Sequence, residues 1–402
     1  MTRHAARTES SLTATCRGSH DARRESAVSA ATKPYLLVAV TGRALAASAA
    51  RSGHGVVVID CFADRDTRAL ARACRSVVAR RGLRFEARAL LAAAAELAPS
   101  SRCAGLIFGS GFEGRVALLE RLATGYRLYG NEPRVVAAVK DPRRFFPLLD
   151  RLGIRHPETR LTAPPSRASW LVKQPGGAGG AHVRRAKGRR VGPGAYYQRF
   201  EQGRSLSALF LADGRRASVI GFNEQWAVPA RRGRPFLYGG AVSGMALPAA
   251  LESDLRAKLD QLVAATGLIG LNGLDFLLQG DHWLVLEVNP RPTATLELYD
   301  PDYPRGLFAW HLRACEGELP DRAAPPRRVR AHAVVYALAH ARVRAAFAFP
   351  RWCRDLPSPG TRLAPGDPIC TVHAAAPDRE RAVALVRRRQ EWLQRLMTEQ
   401  AA

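Results

Sequence analysis

The stretch "VLEVNPRP", residues 285–292, places the carboxylate of Glu287 and the carboxamide of Asn289 two residues apart on an otherwise apolar run, which then ends in proline and arginine. Alternation along a strand puts Glu287 and Asn289 on one face. Together with what precedes it, "LNGLDFLLQGDHWLVLEVNPRP" (271–292) reads as a hairpin. Leu274, Phe276 and Leu278 share one face of the first strand, as do Leu284, Leu286 and Val288 of the second. For both apolar sets to meet one core the loop must hold an odd number of residues, such as Gly280-Asp281-His282. That register sets Asp275 opposite Glu287, beside Asn289. Two carboxylates and an amide carbonyl are hard oxygen ligands suited to Mg²⁺, with Mn²⁺ as the alternative, and Mg²⁺ fills the rest of its shell with waters and substrate phosphates. Arg291 follows as a cation for phosphate oxygens. The competing reading is an ordinary solvated face of a hairpin.

A second element supports the phosphate reading. In "WLVKQPGGAGGAHV" (170–183), Gly176, Gly177, Gly179 and Gly180 allow close backbone approach and free N–H groups toward phosphate. No G-K-[ST] follows and the next element reads as a strand, so this is not a P-loop. Strand, glycine loop and strand make a flap. Lys173 sits just before it, and Lys140 opens "KDPRRF". Only five of the chain's 61 basic residues are lysine, so a lysine kept at either place is informative. His182, on the outgoing edge of the flap, is either a γ-phosphate contact or a solvated loop histidine.

The rest of the chain supplies the frame. Apolar β-prone runs at 35–40, 55–60, 76–79, 104–111 and 126–131 alternate with helical stretches, which reads as a parallel α/β domain of Rossmann-like winding. Its strand ends carry "TGR" and "GSGFE", candidate ligand loops because open α/β sheets bind at the carboxyl ends of strands. From about 132 the pattern turns to helices restarted at Asp141-Pro142, then strands around the flap, a helix at 248–266 and the hairpin. Pro325-Pro326 marks a linker. The last 75 residues hold strands at 331–338 and 369–374 and a closing amphipathic helix from about 378 to 398.

Composition limits the alternatives. The net charge of +26 invites a nucleic-acid reading, with basic runs at 187–190, 230–234 and 387–389, yet the excess is spread along the chain without aromatic interleaving. Its arginine bias looks like a compositional habit, and anionic small substrates suit the field equally well. No run approaches the roughly 18 apolar residues that cross a bilayer. Residues 1–33 are polar and unpatterned, which predicts a disordered tail rather than a targeting signal. The seven cysteines form no C-x-x-C or Cys/His cluster and read as reduced thiols, which fits a cytoplasm.

Lys140, the Lys173 and glycine flap, "YQRFEQGRSLS" (197–207), Asp275 and the E-x-N-P-R of 287–291 resemble, in order and spacing, the ATP-grasp ligases. The resemblance covers roughly residues 34–326. It implies a fold of α/β and α+β type: a pre-ATP-grasp Rossmann-like domain over 34–131, an ATP-grasp domain over 132–326, and a small C-terminal α/β lobe over 327–402. It implies that Lys140 and Lys173 contact ATP phosphates, that Gln198, Arg199 and Phe200 form the adenine hinge, and that Asp275, Glu287 and Asn289 hold Mg²⁺. The family often has acidic residues at and just after the hinge for the ribose; here Arg199 and Arg204 occupy those places. "GSGFE" (109–113), "YGNEP" (129–133), "NPRPTATLELYD" (289–300) and "PGDPICTVHA" (365–374) further resemble an ATP-grasp subgroup of methylotrophic bacteria with methanofuran- and tetrahydromethanopterin-linked C1 pathways.

The activity so implied joins a small-molecule carboxylate to an amine or thiol through an acyl phosphate, with Lys173 and Arg291 as the catalytic cations. A homodimer is left open. Among the strand-end loops, Arg43 would pair with a substrate carboxylate and Glu113 with an ammonium or hydroxyl, unless Glu113 caps the helix after it. That pair suits an amino-acid-like substrate, glutamate first. A biotin-dependent carboxylase component shares the fold, but the chain has no Met-Lys-Met. Nucleotide sensing without turnover would call for a broken metal set, and a basic RNA-binding protein would hold nucleic acid through high salt.

Overall fold

The computed structural model describes residues 32–78, 84–166, 168–186, 191–192, 194–229, 234–321, 323 and 326–399. The expected tail, the basic run at 187–190, most of that at 230–234 and Pro325 lie outside them.

The first layer is a parallel sheet of β1 (Tyr35–Val38), β2 (Val56–Asp60), β3 (Ala73–Ser76) and β4 (Gly105–Phe108), in the order β3-β2-β1-β4. Helices α1 (Arg43–Arg51), α2 (Arg65–Leu70), α3 (Ala87–Leu97) and α4 (Val116–Ala123) connect or follow its strands. Every residue of β2 is buried, as expected of a parallel strand covered on both faces. The third strand lies at 73–76, three residues before the expected 76–79, although Val77 N–H still donates to the Asp60 carbonyl at 2.7 Å. The run at 126–131 adds only an isolated parallel bridge, Leu128 to Leu106. At the sheet's carboxyl end, the Asp60 carboxylate accepts from the backbone of Gly42, Phe62 and Ala63, which fixes the loops after β1 and β2.

Helices α5 (Pro133–Lys140) and α6 (Pro142–Arg151) meet at Asp141, whose side chain accepts from Arg143 N–H. Proline starts each of them at a position where its missing N–H is harmless. A small antiparallel sheet follows, built of β5 (Thr159–Arg160), β6 (Trp170–Lys173), β7 (Val183–Arg185) and β8 (Tyr196–Arg199) in the order β5-β8-β6-β7.

The main sheet has eight antiparallel strands. They are β9 (Arg204–Asp213), β10 (Ala217–Val228), β11 (Leu237–Val242), β12 (Ile269–Gln279), β13 (His282–Asn289), β14 (Val329–Tyr336), β16 (Cys353–Arg354) and β18 (Pro368–Ala376). Their order is β13-β12-β9-β10-β11-β14-β18-β16, and β15 (Ala341–Arg342) pairs with β17 (Arg362–Leu363) as a short ribbon. The strands near the C-terminus thus extend the main sheet through β11 and β14, a strand pair in which His332 lies opposite Ala241.

Strand β9 is buried on both faces. Ala208, Phe210 and Ala212 join a core with α6 and with α7 (Ala249–Thr266), which ends on left-handed Gly267. Leu209 and Leu211 join another with Leu37, Val58 and Ile107 of the parallel sheet and with α9 (Gly306–Cys315), which follows the short α8 (Leu296–Tyr299). The closing helix α10 (Arg379–Glu399) packs Ala382, Val386, Leu393 and Met397 against β14 and β18. Sequence periodicity placed no element at β11 or at α9. Two glycines interrupt the first, and α9 has buried residues on most of its surface, which removes the amphipathic signal.

His311 of α9 ties three elements together. Leu271 N–H donates to its Nδ1 at 2.9 Å, so Nε2–H faces the Tyr129 carbonyl at 3.2 Å. Burial pushes this imidazole down to about 4 from 6.5. The unfolded chain therefore binds a proton that the folded chain refuses between those values. The stability carried by neutral His311 is present above pH 6.5 and is lost toward pH 4, at about 1.4 kcal/mol per pH unit. Urea unfolding at pH 7 and pH 5 is expected to show this loss, and His311→Gln to reduce its slope. Parallel curves for the two proteins would assign the acid sensitivity elsewhere.

Candidate functional site

The hairpin reaches the Asp275–Glu287 pairing by an unexpected route. Its turn has two residues, Gly280 (φ +59°) and Asp281, because Gln279 pairs with His282. Continued unbroken, that even turn would set Asp275 opposite Leu286. Instead the register steps between Asp275 and Phe276, leaving Leu286 as the extra residue, and Asp275 pairs with Glu287. The core-facing residues of β13 are consequently Trp283 and Val285 on one side of the bulge and Val288 on the other. Leu284 and Leu286, expected in the core, are only partly buried. The apolar pattern fixed the pairing correctly and the turn incorrectly, since one bulged residue does the work of an added loop residue.

Around this pair the polar groups interlock. Asn289 Nδ2 donates to Asp275 Oδ2 at 2.9 Å, and Gln225 Nε2 of β10 donates to Asp275 Oδ1 at 3.2 Å. Lys140 Nζ, at the end of α5, reaches Glu287 Oε2 at 2.9 Å and Asn289 Oδ1 at 3.4 Å. Lys173 is buried nearby, with burial lowering its pKa and the charges of Glu287 and Asp275 raising it. Burial would raise both carboxyls. For Asp275 burial prevails, reinforced by Glu287, and the group sits above its ordinary range. For Glu287 the charges of Lys140, His182 and Lys173 prevail and hold it ionised. Gln225 was not found from sequence; it lies fifty residues from Asp275 and carries no local signal.

The other predicted residues behave differently. Glu113 is 4% exposed and is ion-paired through Oε1 with Arg291 Nε, while its Oε2 accepts from Gly111 N–H at 2.8 Å. Burial would raise its carboxyl, but Arg291 and Lys140 hold it below the usual range. It does not cap α4, which starts after Arg115 without a side-chain cap. Arg43 is 2% exposed and is taken up by Glu297, by Asp355 at 3.0 Å and by Asp66 at 3.8 Å. A guanidinium so surrounded is no receptor for a substrate carboxylate, and a Glu113 paired with Arg291 is no free receptor for an ammonium.

In the flap the glycines serve close approach. Gly176, Gly179 and Gly180 all have positive φ, +70°, +60° and +71°. A Cβ on Gly176 would collide with the backbone of Gly114, and one on Gly180 with the Phe236 carbonyl. A Cβ on Gly177 would strike the His182 ring, which burial pushes down to about 4. Gly179 faces open space, and its carbonyl accepts from Tyr238 N–H at 3.0 Å. In the β8 segment Gln198 is 1% exposed and its Oε1 has no partner among the described residues, an acceptor left for a ligand. Arg199 lies beside Glu158 and Glu201, and Phe200 lies under the Arg185 guanidinium at 3.6 Å. Arg204 bonds Glu224 at 2.8 Å, whereas Glu201, which the sequence reading did not single out, lines the cleft.

Arg43, Glu113, Lys173, the flap glycines, Gln198, Arg199, Phe200, Asp275, Glu287, Asn289 and Arg291 border one cleft of ≈ 2070 Å³, walled also by Thr41, Gly109, Ser110 and the loop at 355–371. Lys140 faces a small adjoining pocket with His182 and Glu287. Residues 139–295 match the family model described as an ATP-grasp domain. The likeness spans the flap, the hairpin, Lys140 and Lys173. Solved structures agree over most of the chain. Biotin carboxylase from Campylobacter jejuni, determined as a complex with β-γ-ATP, is 14% identical with a TM-score of 0.68, covering 87% of this chain and 89% of that one. The N5-carboxyaminoimidazole synthase from Aspergillus clavatus, determined with ADP and 5-aminoimidazole ribonucleotide, is 14% identical with a TM-score of 0.62, covering 89% and 99%. The L-amino acid ligase from Bacillus licheniformis is 14% identical with a TM-score of 0.63, covering 88% and 96%. At such identities the likeness is one of fold. No curated protein matches in sequence. Among the described residues no helix is long and apolar enough to cross a membrane.

Two comparisons test the ATP-grasp flap. Gly180→Ala is expected to raise the KM for ATP severalfold or more, because a methyl there forces the flap off Phe236, while Gly179→Ala, strained only by its φ at about 1–2 kcal/mol, is the milder change. Equal effects would mean that docking on Phe236 is irrelevant to nucleotide binding. Lys173→Arg keeps the charge but replaces a compact ammonium with a planar fork, and is expected to lower kcat/KM by about tenfold or more. Lys258→Arg, whose Nζ bonds the Leu152 carbonyl and Gln261 Oε1, is the control, and identical behaviour of the two would remove Lys173 from the site. The other lysine suited to that comparison, Lys187, lies outside the described residues.

Proposed function

We propose that the protein is an ATP- and Mg²⁺-dependent, ADP-forming ligase that joins a carboxylate to an amine. The observation that carries the reading is the register that sets Asp275, Glu287 and Asn289 on one face with Lys140, Lys173 and Arg291 around them. The donor set fits the metal. Three hard oxygen donors converge there, as suits a cation that shares its shell with nucleotide phosphates. When bound, Mg²⁺ would rest on Asp275, Glu287 and Asn289 and neutralise phosphate charge. Mn²⁺ is the alternative with the same donors.

In this reading Gln198, Arg199 and Phe200 hold the adenine, with the unpartnered Gln198 carbonyl accepting from its amino group. Lys140, now on Glu287, and the buried Lys173 meet the phosphates, and Gly176, Gly177, Gly179 and Gly180 let the flap cover them and exclude water. The substrate carboxylate oxygen attacks the γ-phosphorus; a P–O bond forms, the bond to the bridging oxygen breaks, and ADP leaves with that electron pair. The amine nitrogen then attacks the acyl carbon, and the C–O bond to phosphate breaks with its pair on phosphate. The nitrogen gives up its proton. Arg291, steadied by Glu113 and bonded to Asn289 Oδ1 at 3.3 Å, orients the carboxylate and offsets charge on the acyl phosphate. The boundaries 34–131, 132–326 and 327–402 and a cytoplasmic setting belong to the same proposal. The C1-cofactor pathway rests on the subgroup resemblance alone.

The test is hydroxylamine trapping. Full-length protein with MgATP, hydroxylamine and a panel of carboxylic acids is expected to give an acid-dependent hydroxamate and matching ADP. Glu287→Gln is expected to lower the rate by about a hundredfold or more while leaving the fold intact by circular dichroism. ADP release that depends on no acid, with no hydroxamate, would rule out acyl-phosphate chemistry.

A further inference from the structure

We infer that the part of the cleft where Glu297, Asp355 and His332 gather around Arg43 binds the ammonium of the amine acceptor, and that this acceptor bears no carboxylate beside its amine. The inference rests on the ligase reading and names the class of its second substrate.

The charge balance there runs against the whole chain. Basic residues outnumber acidic ones 61 to 35, yet Arg43 alone faces Glu297, Asp355 and Asp66. All three guanidinium nitrogens are engaged, Nε with Asp355, Nη1 with Glu297, and Nη2 with both. Asp66 is further tied to the backbone N–H groups of Asp355 and Leu356 at 2.8 and 2.9 Å, which fixes the loop that carries Asp355. Two partly buried carboxylates therefore share one cation at the wall of the cleft. Burial would raise both carboxyls, but Arg43 holds them below the usual range, so two negative charges stand against one cation.

A second observation points to a ligand. His332 of β14 is 1% exposed and lines the same cleft. Its Nε2 is bonded to the Tyr238 hydroxyl at 2.6 Å, but its Nδ1 has no hydrogen-bond partner among the described residues. The His373 ring stands 5.8 Å from it, with Nε2 3.7 Å from Glu297 Oε2. Burial lowers the pKa of both rings, to about 3 for His332, so neither offsets the carboxylates at neutral pH. Tyr238 and Tyr336 complete the wall. An aliphatic ammonium meets these needs: it is cationic at neutral pH and donates three hydrogen bonds. An adjacent carboxylate would be repelled by Glu297 and Asp355, because Arg43 has no free nitrogen to receive it.

Calorimetry on the full-length protein, loaded with Mg²⁺ and a non-hydrolysable ATP analogue, tests this with amines matched to their amino acids. Suitable pairs are putrescine with ornithine, phenethylamine with phenylalanine, and propylamine with 2-aminobutyrate. At least one amine is expected to bind about tenfold or more tightly than its partner, and Glu297→Gln to erase that preference. Because Glu297 also holds Arg43, Asp355→Asn is measured as a second variant, and the wild-type comparison requires neither. Amino acids binding as tightly as the amines, no amine binding at all, or a preference retained in both folded variants would overturn the inference. Hydroxamate formation without amine selectivity sinks this inference alone. Amine selectivity without hydroxamate sinks the ligase reading alone.

Discussion

Two carboxylates that face each other across adjacent strands, Asp275 and Glu287, govern the rest of the site. Side by side and withdrawn from water, they cannot both stay ionised without cations, and the fold brings those from separate parts of the chain. Lys140 comes from the end of a helix, Lys173 from the edge of the flap, and Arg291 from just beyond the strand that carries Glu287. Gln225 and Asn289 donate to Asp275 and fix its orientation. The lone pairs that face Lys140 are those a divalent cation would take. On the proposed reading the arrangement is a charge-balanced resting form of the metal–phosphate site, with lysine standing where the metal would bind.

From that pair the cleft changes sign along its length. Lysines and arginine dominate the end proposed for the triphosphate, while carboxylates dominate beyond Glu297. Arg291–Glu113 is a buried ion pair and Arg43–Glu297 a partly buried one, and they differ in stoichiometry. The first is one cation with one anion, fastened by the Gly111 N–H; the second is one cation with several anions. A buried pair in balance positions its members, whereas an unbalanced one leaves charge for a ligand.

Much of this was legible in the sequence because two periodicities are hard to disguise. Alternation over 274–278 and 284–288 gave the pairing of Asp275 with Glu287, and the scarcity of lysine singled out Lys140 and Lys173. The bulge at Leu286 was not legible, because one unpaired residue in a strand and one added residue in a turn produce the same pairing upstream. Arg43 and Glu113 line the cleft, and each is paired with side chains that the sequence did not reveal. Their partners, Glu297, Asp355 and Arg291, lie between 178 and 312 residues away, and no local pattern reports such contacts. Strand β11 was missed for a related reason: Gly239 and Gly240 weaken its pattern, yet a Cβ at either would meet Trp226. There the glycines record close packing, which periodicity does not register.

The main sheet joins the two ends of the cleft through one residue. Tyr238 of β11 donates its backbone N–H to Gly179 in the flap and holds its hydroxyl on His332 in the neighbouring strand. Gln225, on the strand at the other side of β11, holds Asp275. A flap that lifts away must break the bond to Tyr238, and a Tyr238 that shifts must disturb His332. Because β10, β11 and β14 are hydrogen-bonded neighbours, none of these contacts can move far independently. Docking the flap and completing the wall around His332 are therefore parts of one packing arrangement, set by the strand whose glycines admit Trp226 and the flap against it.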